Sequence, residues 1–410
     1  MKKILIIIDN EERLNFFTKA FEYFEITFLT NRTAIKDKCI SSGYSTIFIP
    51  TKITKWESND NELMQLALSS LEYRTGKIKC KEKIYDMMKS YIEYFKVNSL
   101  LDYNYIFMWN GSRILERTIA YYVNVERINT TLVFLEISNI KNKLFMDFEG
   151  VNYESFFRKY YHKLKSKAAV DHKKYQQWKS EYIQNKLKNN IVPQSKNARS
   201  IPATNIHDFL YSFISLSYYP SNSLRVINEL IGRIISGKLI SFFSRDEIPK
   251  VGDYIFLPLQ VENDTQLKIN GNGYNNSTVI EKALEYCEGY IVVKFHPSEN
   301  NFLSLLKVWL KYRKNNKVRF CTYNTTQLIF DSSRVLTINS TVGLEALILG
   351  KEVTFLGKTL YESFNDESDL AFYINNYLIE QDYFNVTPFD LNFLDVIDEK
   401  YEIYRRLQKV

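Results

Sequence analysis

Three short apolar runs in the last third of the chain each stop at a polar motif, and this pattern constrains the fold more than any other feature. Tyr254-Ile-Phe-Leu-Pro-Leu259 opens into Gln260-Val-Glu-Asn-Asp264. Tyr290-Ile-Val-Val-Lys294 opens into Phe295-His296-Pro297. Arg334-Val-Leu-Thr-Ile338 opens into Asn339-Ser-Thr-Val-Gly-Leu-Glu345, which reads as a helix start. Short β-branched runs separated by helical stretches indicate parallel strands. In an open parallel sheet, ligands bind beyond the carboxyl ends of the strands. Asp264, His296, Ser340 and Glu345 are therefore expected around one crevice.

The first 136 residues alternate in the same way. Strands are expected at Lys3 to Ile8, Ile26 to Leu29, Thr46 to Ile49, Tyr105 to Trp109 and Thr131 to Leu135. Helices are expected at Glu11 to Tyr23, Asp60 to Arg74, Ile84 to Val97 and Arg113 to Tyr122. This βα alternation implies a Rossmann-like domain. Asn110-Gly111 and Glu136 would then sit at its strand ends. The stretch from Phe156 to about Asn190 is polar, helical and Lys-rich, and reads as an insertion. Pro193 and Pro202 mark a linker over about 191–205. The expected organisation is an N-terminal domain over 1–205 carrying the insertion at about 156–190, a helical connection over 206–245, a second Rossmann-like domain over 246–365 and C-terminal helices over 366–410. A chain of 410 residues fits two cores better than one.

Composition narrows the function classes. The net charge of +7 favours anionic partners such as a nucleotide or a phospholipid surface. The four cysteines are widely spaced and form no CxxC pair, which suits a reducing cytoplasm. No stretch approaches the roughly 20 apolar residues of a membrane span, so a soluble protein, at most peripheral to a membrane, is expected. There is no GxGxxG fingerprint, P-loop, HExxH motif or acidic DxD pair after a strand, which disfavours a metal-centred mechanism. The Lys-rich helix could bind nucleic acid, but no recognised module accompanies it. A solvated face or an anionic membrane contact fits it better.

The individual residues admit both functional and structural readings. A carboxylate at Asp264 can act as nucleophile or base, or cap a helix; Glu262 competes for the same role. His296 can contact a phosphate or pass a proton, or simply bond a backbone carbonyl. Ser340 and Thr341 with Gly343 open a helix whose free N–H groups form an anion site, or cap it in the ordinary way. Glu345 can bind a ribose diol or favour the helix dipole.

Taken together, the motifs resemble the retaining β-Kdo transferases of the capsule-synthesis superfamily, which act on bacterial capsule and lipopolysaccharide. The residues that carry the resemblance are Trp109-Asn110-Gly111, Phe134-Leu-Glu136, Glu149-Gly-Val-Asn152, Pro258-Leu-Gln260 with Asp264, Lys294-x-His296-Pro297, Asn339 to Leu347, Gly350-Lys-Glu-Val353 and Phe355-x-Gly357. The resemblance implies a GT-B-like α/β protein of two Rossmann-like domains with a cleft between them. It implies CMP-Kdo as donor, no cofactor and no metal, and retention by double displacement. Asp264 would be the nucleophile, with Gln260, Lys294 and His296 on the donor. Ser340, Thr341 and Gly343 would face the phosphate, and Glu345 the ribose. Glu136 would serve as acid/base, with Asn110, Gly111 and Glu262 on the cleft or acceptor side. The acceptor would be a saccharide or glycolipid. Two departures stand out: Tyr361 to Asp366 replaces a Gly-rich segment, and the helical insertion is not a general family feature. The competing expectations are an inverting CMP-sialic acid transferase and a non-enzymatic module for anionic lipid or nucleic acid.

Overall fold

The computed structural model describes residues 2–49, 60–98, 102–126, 128–188, 223–262 and 264–408. The linker over about 191–205 and the first part of the helical connection, up to residue 222, lie outside the described residues. The described chain divides into two compact units. One runs up to Ala168 and resumes at Asn376; the other contains the residues from Ala169 and from Leu224 to Asn375.

In the first unit, strands β1 (Ile4–Ile7), β2 (Ile26–Thr30), β3 (Ser45–Phe48), β4 (Tyr105–Trp109) and β5 (Thr131–Ile137) are joined by helices. Among these are α1 (Glu11–Ala20), α2 (Thr33–Ser41), α3 (Asn61–Leu68), α4 (Leu71–Arg74), α5 (Lys81–Val97) and α6 (Ile114–Val125). The segment expected as one helix from Asp60 to Arg74 is broken at Ser69-Ser70, where Ser70 turns extended ahead of α4. The five strands pair in parallel in the order β3-β2-β1-β4-β5. Sequence reading missed β6 (Lys143–Asp147), which pairs antiparallel with the end of β5. It also missed β12 (Ile379–Glu380), which pairs antiparallel with β6. β6 therefore carries β5 past the expected end at Leu135, and Glu136 lies inside the strand opposite Phe145.

The tail is not a separate set of short helices. Its last helix, α16 (Phe393–Gln408), spans 16 residues and belongs to the first unit. Phe389 and Phe393 stack at 3.8 Å and meet Phe21, just past α1, edge-on at 5.3 and 6.0 Å. Aromatic burial of this kind contributes about 2–3 kcal/mol per ring, which explains why residues so distant in sequence close one core.

The second unit holds β7 (Tyr254–Pro258), β8 (Tyr290–Lys294), β9 (Val318–Phe320), β10 (Arg334–Thr337) and β11 (Val353–Phe355). All neighbours are parallel, in the order β11-β10-β7-β8-β9. β7 is buried along its whole length, as a strand covered on both faces requires. The segment read as one helical insertion is two helices, α7 (Phe156–Lys165) and α8 (His172–Lys188). Only α7 stays with the first unit. α8 belongs to the second, because Tyr175 is fully buried and Lys179 and Lys186 pair with Glu367 and Glu345 of that unit. The described connection is one helix, α9 (Ser223–Phe243), which enters the second core through Ile240 and Phe243. Phe243 stacks on Trp309 at 4.2 Å.

One buried carboxylate organises the turn after β6. Asp147 accepts from the backbone N–H groups of Glu149, Gly150, Phe156 and Phe157 at 2.8, 3.3, 3.0 and 3.0 Å, and from the Tyr377 hydroxyl at 2.6 Å. It thus satisfies the start of α7 and ties the returning tail to it. Asp147→Ala leaves these donors buried and unpaired and is expected to destabilise the protein by about 3 kcal/mol or more. Chemical denaturation checks this, and a loss under about 1 kcal/mol would contradict the role.

Candidate functional site

The order β11-β10-β7-β8-β9 places the reversal of strand order between β7 and β10, where a parallel sheet opens its ligand crevice. A pair of buried amides bridges that point. Gln260, two residues past β7, donates from Nε2 to Asn339 Oδ1 at 2.9 Å, and the Asn339 backbone N–H donates to Gln260 Oε1 at 3.1 Å. Asn339 Nδ2 donates to the Gln266 carbonyl at 3.0 Å. Asn276 accepts from the Gln260 N–H at 3.2 Å and donates to its carbonyl at 2.8 Å. Gln260, Asn276 and Asn339 are all buried. Sequence reading named Gln260 as a donor contact but assigned no role to Asn339 or Asn276, because an amide carries no signal until its partner is known.

The clamp positions two helix starts. Asp264 is the N-cap of α10 (Thr265–Asn270), with Oδ1 accepting from Gln266 and Leu267 N–H at 2.9 and 3.2 Å. Burial raises its pKa, against the opposing effect of these backbone bonds. Ser340 is the N-cap of α14 (Thr341–Ile348), accepting from Val342 N–H at 3.2 Å. Both capping readings are thus realised, and capping does not remove either side chain from the crevice end of the sheet. Gly343 lies on the packed side of α14: a Cβ there would come within 2.3 Å of the Phe355 ring. Glu345, two residues further on, pairs with Lys186 at 2.7 Å.

The β8 loop is held next to this one. Leu259 N–H donates to the Lys294 carbonyl at 2.9 Å. Glu299, also missed in the sequence, accepts from the N–H groups of Glu262, Asn300 and Asn301 at 2.8, 2.8 and 2.7 Å. It thereby ties the β7 loop to the β8 loop. Glu262 Oε2 is buried without a partner among the described residues, so Glu262 remains a rival carboxylate to Asp264. Lys294 Nζ donates to the Tyr323 carbonyl at 2.6 Å and to Thr325 Oγ1 at 2.9 Å, which leaves one ammonium proton for another acceptor. Burial lowers the Lys294 pKa. His296 Nδ1 accepts from Ser298 N–H at 3.1 Å, so the neutral ring carries its proton on Nε2. Burial, reinforced by Lys294, lowers the His296 pKa to about 4.

A cavity of about 400 Å³ lies at the opposite end of the sheet, lined by Gly252, Asp253, Tyr286, Tyr290 and Arg334 at the amino ends of β7, β8 and β10. None of the residues expected in the site lines it. Among the described residues, no group of three or more His, Cys, Asp or Glu side chains could hold a metal ion.

In the first unit, the strand order reverses between β1 and β4. The residues just past those strands form a charged cluster that sequence reading missed. Asp9 accepts from Arg13 at 2.6 Å and pairs with Arg113 at 2.5 Å, while Arg32 donates to the Asp9 carbonyl at 2.6 Å. Burial would raise the Asp9 pKa, but Arg113, Arg13 and Arg32 together hold it down to about 2. Nearby Glu116 is raised by burial to about 7. Asn110 and Gly111 follow β4 with left-handed φ of 65° and 69°. Asn110 Oδ1 is buried without a partner among the described residues. Glu136 is half-buried within β5.

The His296 shift has a definite sign. A ring kept neutral when folded takes up its proton later than the unfolded chain does. Its contribution to stability is present above the ordinary pKa of roughly 6.5 and is lost as pH falls toward about 4. Between pH 7 and 4 the wild type is expected to lose on the order of 2 kcal/mol more than His296→Asn. Parallel pH profiles of the two proteins would contradict this burial.

Residues 142–365, more than half of the chain, match the family model "Capsule polysaccharide biosynthesis protein". FixF of Sinorhizobium fredii is 35% identical over 114 residues, covering 26% of this chain and 27% of that protein. The capsule polysaccharide modification protein LipB of Neisseria meningitidis is 28% identical over 151 residues, covering 33% and 36%. The matches therefore span only about a quarter to a third of these relatives' length. The structure titled KpsC, β-Kdo 2,4-transferase, from Thermosulfurimonas dismutans aligns over 96% of this chain and 97% of its own, at 13% identity and a TM-score of 0.43. On the family match, this chain belongs to the capsule polysaccharide biosynthesis family.

Proposed function

We propose that the protein is a glycosyltransferase of surface-polysaccharide synthesis that moves Kdo from CMP-Kdo to a saccharide or glycolipid acceptor, with retention at the anomeric carbon. The observation that carries this reading is the Gln260–Asn339 clamp at the strand-order reversal, which joins the loops after β7 and β10, with Glu299 tying the β8 loop to the first of them. The family membership supports the same reading.

The donor carries a sugar carboxylate and a phosphate, so the site must offset negative charge. The N-terminus of α14 with Ser340 and Thr341 offers N–H groups and a favourable dipole. Lys294 adds a cation, and His296 a neutral Nε2–H donor. The Asp264 carboxylate attacks the anomeric carbon as the bond to the CMP phosphate breaks, and the bonding pair leaves with CMP. An acceptor hydroxyl then displaces Asp264 and loses its proton to a base. Two inversions give net retention.

Asp264→Asn is expected to reduce turnover of CMP-Kdo at least roughly a thousandfold, while Glu262→Gln retains it. Without acceptor, intact-protein mass spectra should record one added Kdo residue on the wild type and none on Asp264→Asn. An active enzyme with no adduct, or activity lost only in Glu262→Gln, would contradict the assignment. Turnover of CMP-sialic acid with an inverted product would favour the competing chemistry.

A further inference from the structure

α8 was expected as a solvated or membrane-facing basic helix, and its arrangement is different. Tyr175, Trp178 and Tyr182 recur at helical spacing and stack in a column, with ring centroids 5.8 and 5.0 Å apart. This column runs along the helix that packs on α13 (Thr325–Asp331) and α15 (Glu367–Phe372) of the second unit. Gln176 and Lys179 hold Glu367 at one end. At the other end, Lys186 reaches Glu345 of α14 at 2.7 Å while its ammonium lies 5.5 Å above the Tyr182 ring. Lys179 and Lys186 of α8 thus face carboxylates.

The Tyr175 and Tyr182 hydroxyls are both buried without a partner among the described residues, and Tyr182 is the one near Glu345. Such an arrangement is costly enough to call for an explanation. Glu345 and Tyr361 lie close enough, together with burial, to push the Tyr182 pKa well above the ordinary value. The hydroxyl is therefore a neutral donor beside the first turn of α14. Glu345 also lies close enough to Lys294 to act on its charge. Tyr182 and Lys186 consequently meet Glu345 on the helix that Ser340 caps, from an element that carries none of the motifs.

We propose that α8 is a wall of the nucleotide pocket, with the Tyr182 hydroxyl donating to a ribose oxygen and the Lys186 ammonium, held in place by Glu345, facing the phosphate. This rests on the CMP-donor reading above and adds to it the residues that recognise the nucleoside monophosphate. The Lys186–Glu345 pair keeps the cation at the site while no nucleotide is bound. Glu345 can then turn to the ribose diol as the phosphate takes over Lys186.

Calorimetric titration of the full chain with CMP and with cytidine tests the proposal. Tyr182→Phe removes one oxygen and should leave the melting temperature unchanged while weakening both ligands roughly three- to tenfold. Lys186→Ala should weaken CMP on the order of tenfold and cytidine little, and Lys186→Arg should restore part of the loss. Lys179→Ala, which frees the same helix from Glu367, should leave CMP affinity unchanged. If Ser340→Ala weakens CMP but Tyr182→Phe and Lys186→Ala do not, the inference falls and the donor reading stands. If Lys179→Ala weakens CMP as much as Lys186→Ala does, α8 acts only as a structural brace and the inference is overturned. If the wild type binds no CMP, the donor reading fails and takes the inference with it.

Discussion

The Gln260–Asn339 amide pair is the constraint on which the second unit's carboxyl end depends. It carries no charge, so it can be buried without the desolvation cost of an ion pair. Each amide is nonetheless committed, because its partner would be left unpaired in a buried site if either were lost. The pair fixes the loop after β7 to the loop after β10, and Glu299 fixes the loop after β8 to the first of these. Three loops far apart in sequence thus share one rigid support, and Asp264, His296 and Ser340 inherit their positions from it. Preorganisation of this kind lets polar groups meet a charged ligand without reorganising when it arrives.

The two units treat buried charge in opposite ways. In the first, Asp9 keeps its charge because three arginines surround it. In the second, burial lowers the pKa of both Lys294 and His296 and raises that of Asp264. Burial there works against the charged form of each of these groups. A phosphate or carboxylate placed among them would oppose the shift of Lys294 and His296, since an opposite charge favours the ionised state. The α8 lysines extend the same economy, because Lys186 is stored against Glu345.

Local patterns carried the strands and their ends. β7, β8 and β10 lie where the apolar runs placed them, and the polar motifs follow each one. The parallel order was also legible, since βα alternation leaves few other topologies. Partnerships across long separations were not. β6 is a short strand whose role depends on β5, and it moved Glu136 from a strand end into a strand. α8 reads as a surface helix until Glu345 and Glu367 are found opposite its lysines. The tail reads as separate helices until Phe389 and Phe393 meet Phe21. The Asp9 cluster joins residues at four places in the chain, and a single Asp or Arg past a strand gives no sign of it. Capping and catalysis likewise remain indistinguishable at Asp264 and Ser340 from sequence, because both readings ask for the same residue at the same place.

A crystal structure of the protein with CMP tests the central claim most directly. The account predicts the phosphate at the N-terminus of α14, within hydrogen-bond reach of Ser340 and Lys294, with Asp264 beside the position of the departing sugar. CMP seated instead in the cavity at the amino ends of the strands, against Tyr286 and Arg334, would contradict it.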